Sequence, residues 1–144
     1  MISEWYIFEI ESNTYHLITC TTNGIEVGVQ TRYEADHSDP RSNKYIHSYR
    51  ISITNHTDYT VQLLKRHWII MDSDLNVREV RGEGVIGQQP ILQPGETHEY
   101  SSWSPLATEI GKMTGSYQMI RPVSNEIFDV RVPVFVLCDS ALLN

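Results

Sequence analysis

Apolar and polar residues alternate along most of the chain, and a period of two marks a strand with one buried face. In Ile25-Glu26-Val27-Gly28-Val29-Gln30-Thr31-Arg32-Tyr33 the odd positions are apolar or strand-forming and the even ones mostly polar. Residues 36–43 carry Pro and Asp and form a loop. Tyr45, His47, Tyr49, Ile51 and Ile53 then share one face, opposite Ser48, Arg50, Ser52 and Thr54, and Asn55-His56-Thr57-Asp58 is a turn. Residues 61–71 are a run long enough for a central strand, and Asp72-Ser73-Asp74-Leu75-Asn76 turns the chain into Val77-Arg78-Glu79-Val80.

The segment from 82 to 95 is rich in Gly and Pro, and 96–103 resumes an extended pattern. Residues 104–115 are irregular, since Pro105, Gly111 and Gly115 oppose anything longer than a short helical turn. Residues 116–121 and 126–137 form a last hairpin, in which Phe128, Val130, Val132, Val134 and Val136 fall on one face. Pro133 has no N–H for a ladder, so this strand lies at an edge or carries a bulge. Seven to eight short strands separated by turns describe an all-β sandwich. The first twenty residues fit the pattern poorly; Trp5, Ile7 and Ile10 suit an edge strand or a short packed helix. The chain thus divides into an extension over 1–21, a sandwich over 22–137 and a tail over 138–144.

Composition agrees, with 15 Ile, 11 Val and 11 Thr against three Ala and three Lys. Stiff β-branched side chains suit a pleated surface better than a helix. Eighteen acidic residues against 11 basic ones give a net charge of −7, which argues against nucleic-acid binding, since that depends on Lys and Arg neutralising phosphates. No apolar run approaches a membrane span, and the acidic start is unlike a secretory signal, so the expected location is the cytoplasm, with Cys20 and Cys138 expected as two free thiols and a single disulfide between them as the alternative.

Candidate chemistry is sparse. Gly82-Glu83-Gly84-Val85-Ile86-Gly87 has the spacing G-x-G-x-x-G, but Pro90 and Pro94-Gly95 leave no room for the helix a dinucleotide fold needs. What survives is a glycine-rich nest in which Gly82, Gly84 and Gly87 offer backbone N–H groups to a phosphate, with Arg78 and Arg81 adding charge. The competing reading gives the glycines to tight turns. Asp72, Asp74, Asn76 and Glu83 mimic a calcium loop, but Val77 stands where such a loop needs Gly, so a hairpin turn is expected. The six histidines make no metal-ligand spacing. His67 is read as a core or packing residue on the face opposite Trp68, and His47 and His98 could meet across strands. Ser101-Ser102-Trp103-Ser104 lacks a base nearby in sequence. Neither an enzyme nor a cofactor is expected, and the metal question stays open.

The block Val61-Gln62-Leu63-Leu64-Lys65-Arg66-His67-Trp68-Ile69-Ile70 resembles the ApaG domain. So do Val80 to Pro90 through the glycine motif, Leu92-Gln93-Pro94-Gly95-Glu96, Tyr100-Ser101-Ser102, Gly111-Lys112-Met113-Thr114-Gly115-Ser116-Tyr117 and Phe128-Asp129-Val130-Arg131-Val132-Pro133-Val134-Phe135. Gln88 departs from the more usual Glu. The resemblance implies a fibronectin type III or immunoglobulin-like sandwich, an association with cobalt and magnesium tolerance or efflux, and protein–protein recognition rather than catalysis. The leading expectation is therefore a binding module for a protein partner, or a homodimer, with Trp68 and Trp103 as candidate anchors. The alternative is a sensor of phosphate, pyrophosphate or nucleotide at the 82–87 loop.

Overall fold

The computed structural model describes residues 17–139. Nine strands run in order: β1 (Ile18–Thr22), β2 (Ile25–Tyr33), β3 (Tyr45–Asn55), β4 (Val61–Asp72), β5 (Val77–Glu83), β6 (Ile91–Leu92), β7 (Thr97–Leu106), β8 (Gly111–Arg121) and β9 (Glu126–Leu137). One sheet has the order β1-β2-β3-β7 and the other β5-β4-β8-β9, with β6 paired to the start of β4. All pairings are antiparallel. The count exceeds the expected seven to eight through β1 and the two-residue β6. β1 begins at Ile18, so the sheet reaches into the segment assigned to the extension, whereas Trp5, Ile7 and Ile10 lie outside the described residues. The stretch 104–115 is more regular than its Pro and Gly content suggested. β7 runs to Leu106 because Pro105 stands where no ladder N–H is needed, and β8 starts at Gly111.

The sheets bury Ile25, Val27, Ile51, Ile53, Val61, Leu63, Tyr117, Met119 and Val130 completely. Two bulges shift the alternation. In β4 the pairs Leu63–Met119 and Lys65–Gln118 leave Leu64 as an extra residue, so Val61 and Leu63 face inward before it and Trp68 and Ile70 after it. In β9 the pairs Gly115–Val132 and Met113–Phe135 set three steps against two around Pro133. This strand is an edge and bulged as well. The bulge overturns the single apolar face expected for it: Val130 and Val132 are buried, Val134 and Val136 are exposed, and Phe135 and Leu137 take the inner positions.

One flank of the sandwich is closed, because the β9 edge meets β1, Arg131 N donating to Thr22 Oγ1 at 3.2 Å and Asn23 Nδ2 to the Asp129 carbonyl at 3.3 Å. The opposite flank has β5 and β7 as its edges.

His47 is wholly buried on β3, beside Tyr33 at 5.3 Å, and neither ring nitrogen has a hydrogen-bond partner among the described residues. It pairs with Ser104, whereas His98 pairs with Ile53, so these two histidines do not meet. Burial pushes the His47 pKa down to about 4, against a smaller upward pull from Asp139. The unfolded chain, with its imidazole near the usual value of about 6.5, therefore binds a proton that the folded chain refuses between about pH 6.5 and about pH 4. Stability is expected to be full above that window and to fall by about 2–3 kcal/mol across it. Urea unfolding at about pH 7 and about pH 4.5 checks this: His47→Leu should flatten the acid limb, and an unchanged pH slope in that variant would refute the assignment.

Candidate functional site

The open flank holds a cavity of about 300 Å³ between the two sheets, near the glycine loop. Its floor is Tyr49, Trp68 and Tyr100, and two guanidinium groups enter it from neighbouring strands of one sheet. Arg66 comes from β4, turned inward because the bulge at Leu64 changed the parity of the strand. Its Nη1 donates to the Glu83 and Gly84 carbonyls, each at 3.0 Å. A Cβ on Gly82 would lie 2.7 Å from this guanidinium, so glycine there lets the Arg66 head group lie against the β5 backbone. Arg78 reaches across from β5, its Nη2 donating to the Pro105 carbonyl at 3.0 Å and to Ser104 Oγ at 3.3 Å on β7.

Neither group is paired with a carboxylate among the described residues. The arginine ion pairs there belong to Arg32, Arg50, Arg81 and Arg121. Behind the guanidiniums the hydroxyls of Tyr100 and Tyr117 are hydrogen-bonded to each other. Burial holds both phenols well above the ordinary tyrosine range, and it raises Tyr49 too, against a smaller downward pull from the Ser102 side chain. The tyrosines are thus neutral donors, and the Arg66 field acts on all three.

The residues proposed for the phosphate loop divide. Arg78 faces this cavity, but Arg81, three residues along the same strand, faces the other way. Arg81 lies opposite His67 on the outer sheet face, and both contact Glu79, His67 Nε2 at 3.2 Å and Arg81 Nη2 at 3.4 Å. His67 is therefore an outer-face residue rather than a core one, because Trp68 takes the inward position. Both contacts hold the Glu79 carboxyl below its usual pKa, the His67 hydrogen bond most strongly.

The loop itself is a tight turn. Ile86 and Gly87 have φ of 46° and 71°, and Val85 and Gln88 exchange hydrogen bonds of 2.8 and 3.0 Å across them, the pattern of a type I′ hairpin turn. Gly84 N donates to the Leu64 carbonyl at 2.8 Å, so the amides of Gly84, Val85 and Gln88 are already engaged by main-chain carbonyls. The loop walls the cavity through Val85, Ile86 and Gly87.

Of the two tryptophans expected as anchors, Trp68 is 3% exposed and packs between Tyr49, Tyr117 and Phe135, with ring centroids 5.6 to 6.1 Å apart. It is a core residue. Trp103 is 51% exposed on β7, edge-on to His37 at 5.0 Å. Arg66 escaped sequence reasoning because an unbroken strand period would place it on the face opposite Val61 and Leu63.

Among the described residues, no strand lies on the outward side of the β7 backbone. Asn55 N donates to the Glu96 carbonyl at 3.0 Å, and the register continues through Ile53–His98, Ile51–Tyr100 and Tyr49–Ser102. The even residues of β7 therefore point their N–H and C=O groups at β3, and Thr97, Glu99, Ser101 and Trp103 point theirs outward. The Pro105 carbonyl, bound by Arg78, belongs to this outward set.

Asp72 Oδ1 accepts from Asp74 N at 3.0 Å and Asn76 N at 3.1 Å, so the calcium-like spacing belongs to a hairpin turn. No three His, Cys, Asp or Glu side chains among the described residues are placed to share an ion, and no helix among them is long and apolar enough to cross a membrane.

A family profile described as ApaG domain matches residues 35–121. Protein ApaG of Thiobacillus denitrificans is 47% identical over 120 residues, covering 83% of this chain and 94% of the relative. Protein ApaG of Brucella anthropi is 47% identical over 116 residues, covering 81% and 88%. Among solved structures, the putative ApaA protein from Bordetella pertussis superposes with a TM-score of 0.76 at 42% identity, covering 87% of this chain and 94% of that one.

Proposed function

This chain belongs to the ApaG domain family, and on that premise we propose that it is a non-enzymatic binding module that engages a protein partner along the free edge of β7. The observation that carries this reading is the edge itself, unpaired among the described residues: four outward-facing backbone positions from Thr97 to Trp103, ending in a half-exposed indole. An edge of this kind is a template for strand addition, in which main-chain bonds supply affinity and side-chain contacts supply specificity. The serines beside it fit a binding role, since Ser104 Oγ accepts from Arg78 and Ser102 lies opposite Tyr49 on β3. Any part in cobalt or magnesium tolerance is exercised through the partner, in the cytoplasm.

Ser101→Pro removes an outward N–H without touching the β3 ladder, because Ser101 faces Arg50 as a non-hydrogen-bonded pair. Crosslinking in native lysate should recover a specific partner with the wild-type chain and lose it with Ser101→Pro and Trp103→Ala. No specific partner, or one indifferent to both changes, overturns the proposal. Direct binding of Co²⁺ or Mg²⁺ below millimolar concentration, seen by calorimetry, overturns the indirect link to cations.

A further inference from the structure

We infer that the segment added to β7 is acidic, and that one of its Asp or Glu carboxylates enters the cavity between the sheets and is held by Arg66 and Arg78. This rests on the edge-binding reading above and names the chemistry of its partner. A strand laid against β7 continues the sheet, so alternate side chains share the inward direction of Tyr100, Ser102 and Ser104. Those side chains face the cavity, and the positive charge there has no counter-charge among the described residues.

Three features suit the cavity to a carboxylate. Both guanidiniums are fixed in place by neutral oxygens, Arg66 by the Glu83 and Gly84 carbonyls and Arg78 by Ser104 and Pro105, so little ordering remains to be done on binding. Each head group has five N–H donors and uses only part of them: Arg66 is held through Nη1, which leaves its Nε–Nη2 fork to match a carboxylate, and Arg78 is held through Nη2, which leaves its Nη1 donors to reach the same group. The site is also partly withdrawn from water, with Trp68 and Tyr49 beneath it, which strengthens a charge-assisted bond. Such a site is unexpected on a protein of net charge −7, where most surfaces repel an acidic segment. The Arg78 bond to the Pro105 carbonyl also closes the edge at that point, so the added strand spans Thr97 to Trp103 and the carboxylate sits near its Trp103 end.

The test uses the full chain and a phage library of capped random twelve-residue peptides. Selected peptides should combine alternating β-formers with an Asp or Glu at a fixed interior position. A synthetic peptide of that sequence should bind, by fluorescence polarisation, about tenfold more tightly than its Glu→Gln or Asp→Asn counterpart. Arg78→Gln should abolish that discrimination, while Trp103→Ala should weaken both peptides alike. The comparison of the two peptides on the wild-type chain needs no variant, so it stands even if an arginine substitution impairs folding.

Equal binding of the acidic and amide peptides overturns the carboxylate site and leaves edge recognition intact. Selection of no edge-dependent peptide overturns both readings. Binding of inorganic pyrophosphate that depends on Arg78, with no preference for acidic peptides, assigns the cavity to a small anion instead and overturns the inference. A dimer that dissociates on Ser101→Pro and excludes every peptide assigns the edge to a second copy and overturns it too.

Discussion

Replacing Gly115 by alanine is expected to unfold the domain or to lower its stability by at least about 3 kcal/mol, out of the roughly 5–15 kcal/mol a domain of this kind holds. Gly115 lies on β8, opposite Trp68 on one side and Val132 on the other. A Cβ there would stand 2.2 Å from the His67 carbonyl oxygen and 3.0 Å from the Trp68 ring. The obstacle is backbone of the central strand β4, and it cannot retreat as a flexible side chain would without breaking its ladder. Gly87→Ala is the control, since nothing lies within 4 Å of a Cβ there and only the φ of 71° opposes it. That left-handed conformation should cost about 1–2 kcal/mol. Urea unfolding of the two variants measures both, and similar losses would show that the contact at Gly115 relaxes.

These contacts explain which parts of the molecule were legible in the sequence. Period-two alternation located β2 and β3 closely, because each has one face on the core and a one-residue slip would expose that whole face, whereas β4 was legible only as a long run. Pro133 announced its strand as an edge or a bulge through a plain chemical deficit, the missing N–H. Where pattern failed, a bulge was the cause. Leu64 is an ordinary apolar residue in an apolar run, so nothing in the local sequence marks it as the extra one, yet it decides that Arg66 faces the cavity. The same gap hid the exposure of Val134 and Val136.

The glycine motif was visible as a motif, but its meaning depended on neighbours distant in sequence. Gly82 answers to Arg66 and Gly84 to the carbonyl of Gln88, where a Cβ would stand 2.2 Å away. Arg78 and Arg81 were grouped by sequence proximity, although three residues along a strand means opposite faces. Strand parity alone separates them.

Trp68 and Trp103 should part in the same way under alanine substitution. Trp68→Ala is expected to cost about 3–5 kcal/mol, the ordinary range for truncating a buried tryptophan. Its indole fills the space between Tyr49, Tyr117 and Phe135, and the floor it rests on is the missing Cβ of Gly115. Collapse into the vacated volume is limited, because the ring lies between two sheets whose separation is fixed by the rest of the core. Trp103→Ala should change stability by no more than about 0.5 kcal/mol, as its ring is half in solvent and its described ring contact is His37. Binding should show the reverse order: Trp103→Ala loses the edge contact, while Trp68→Phe, which keeps a ring in the core, retains it. Equilibrium unfolding and peptide binding measured on the same preparations separate the two roles. A Trp103→Ala chain that binds as tightly as wild type would remove the indole from the recognition surface, and a Trp68→Ala chain as stable as wild type would mean that the aromatic cluster is not what holds the sheets together.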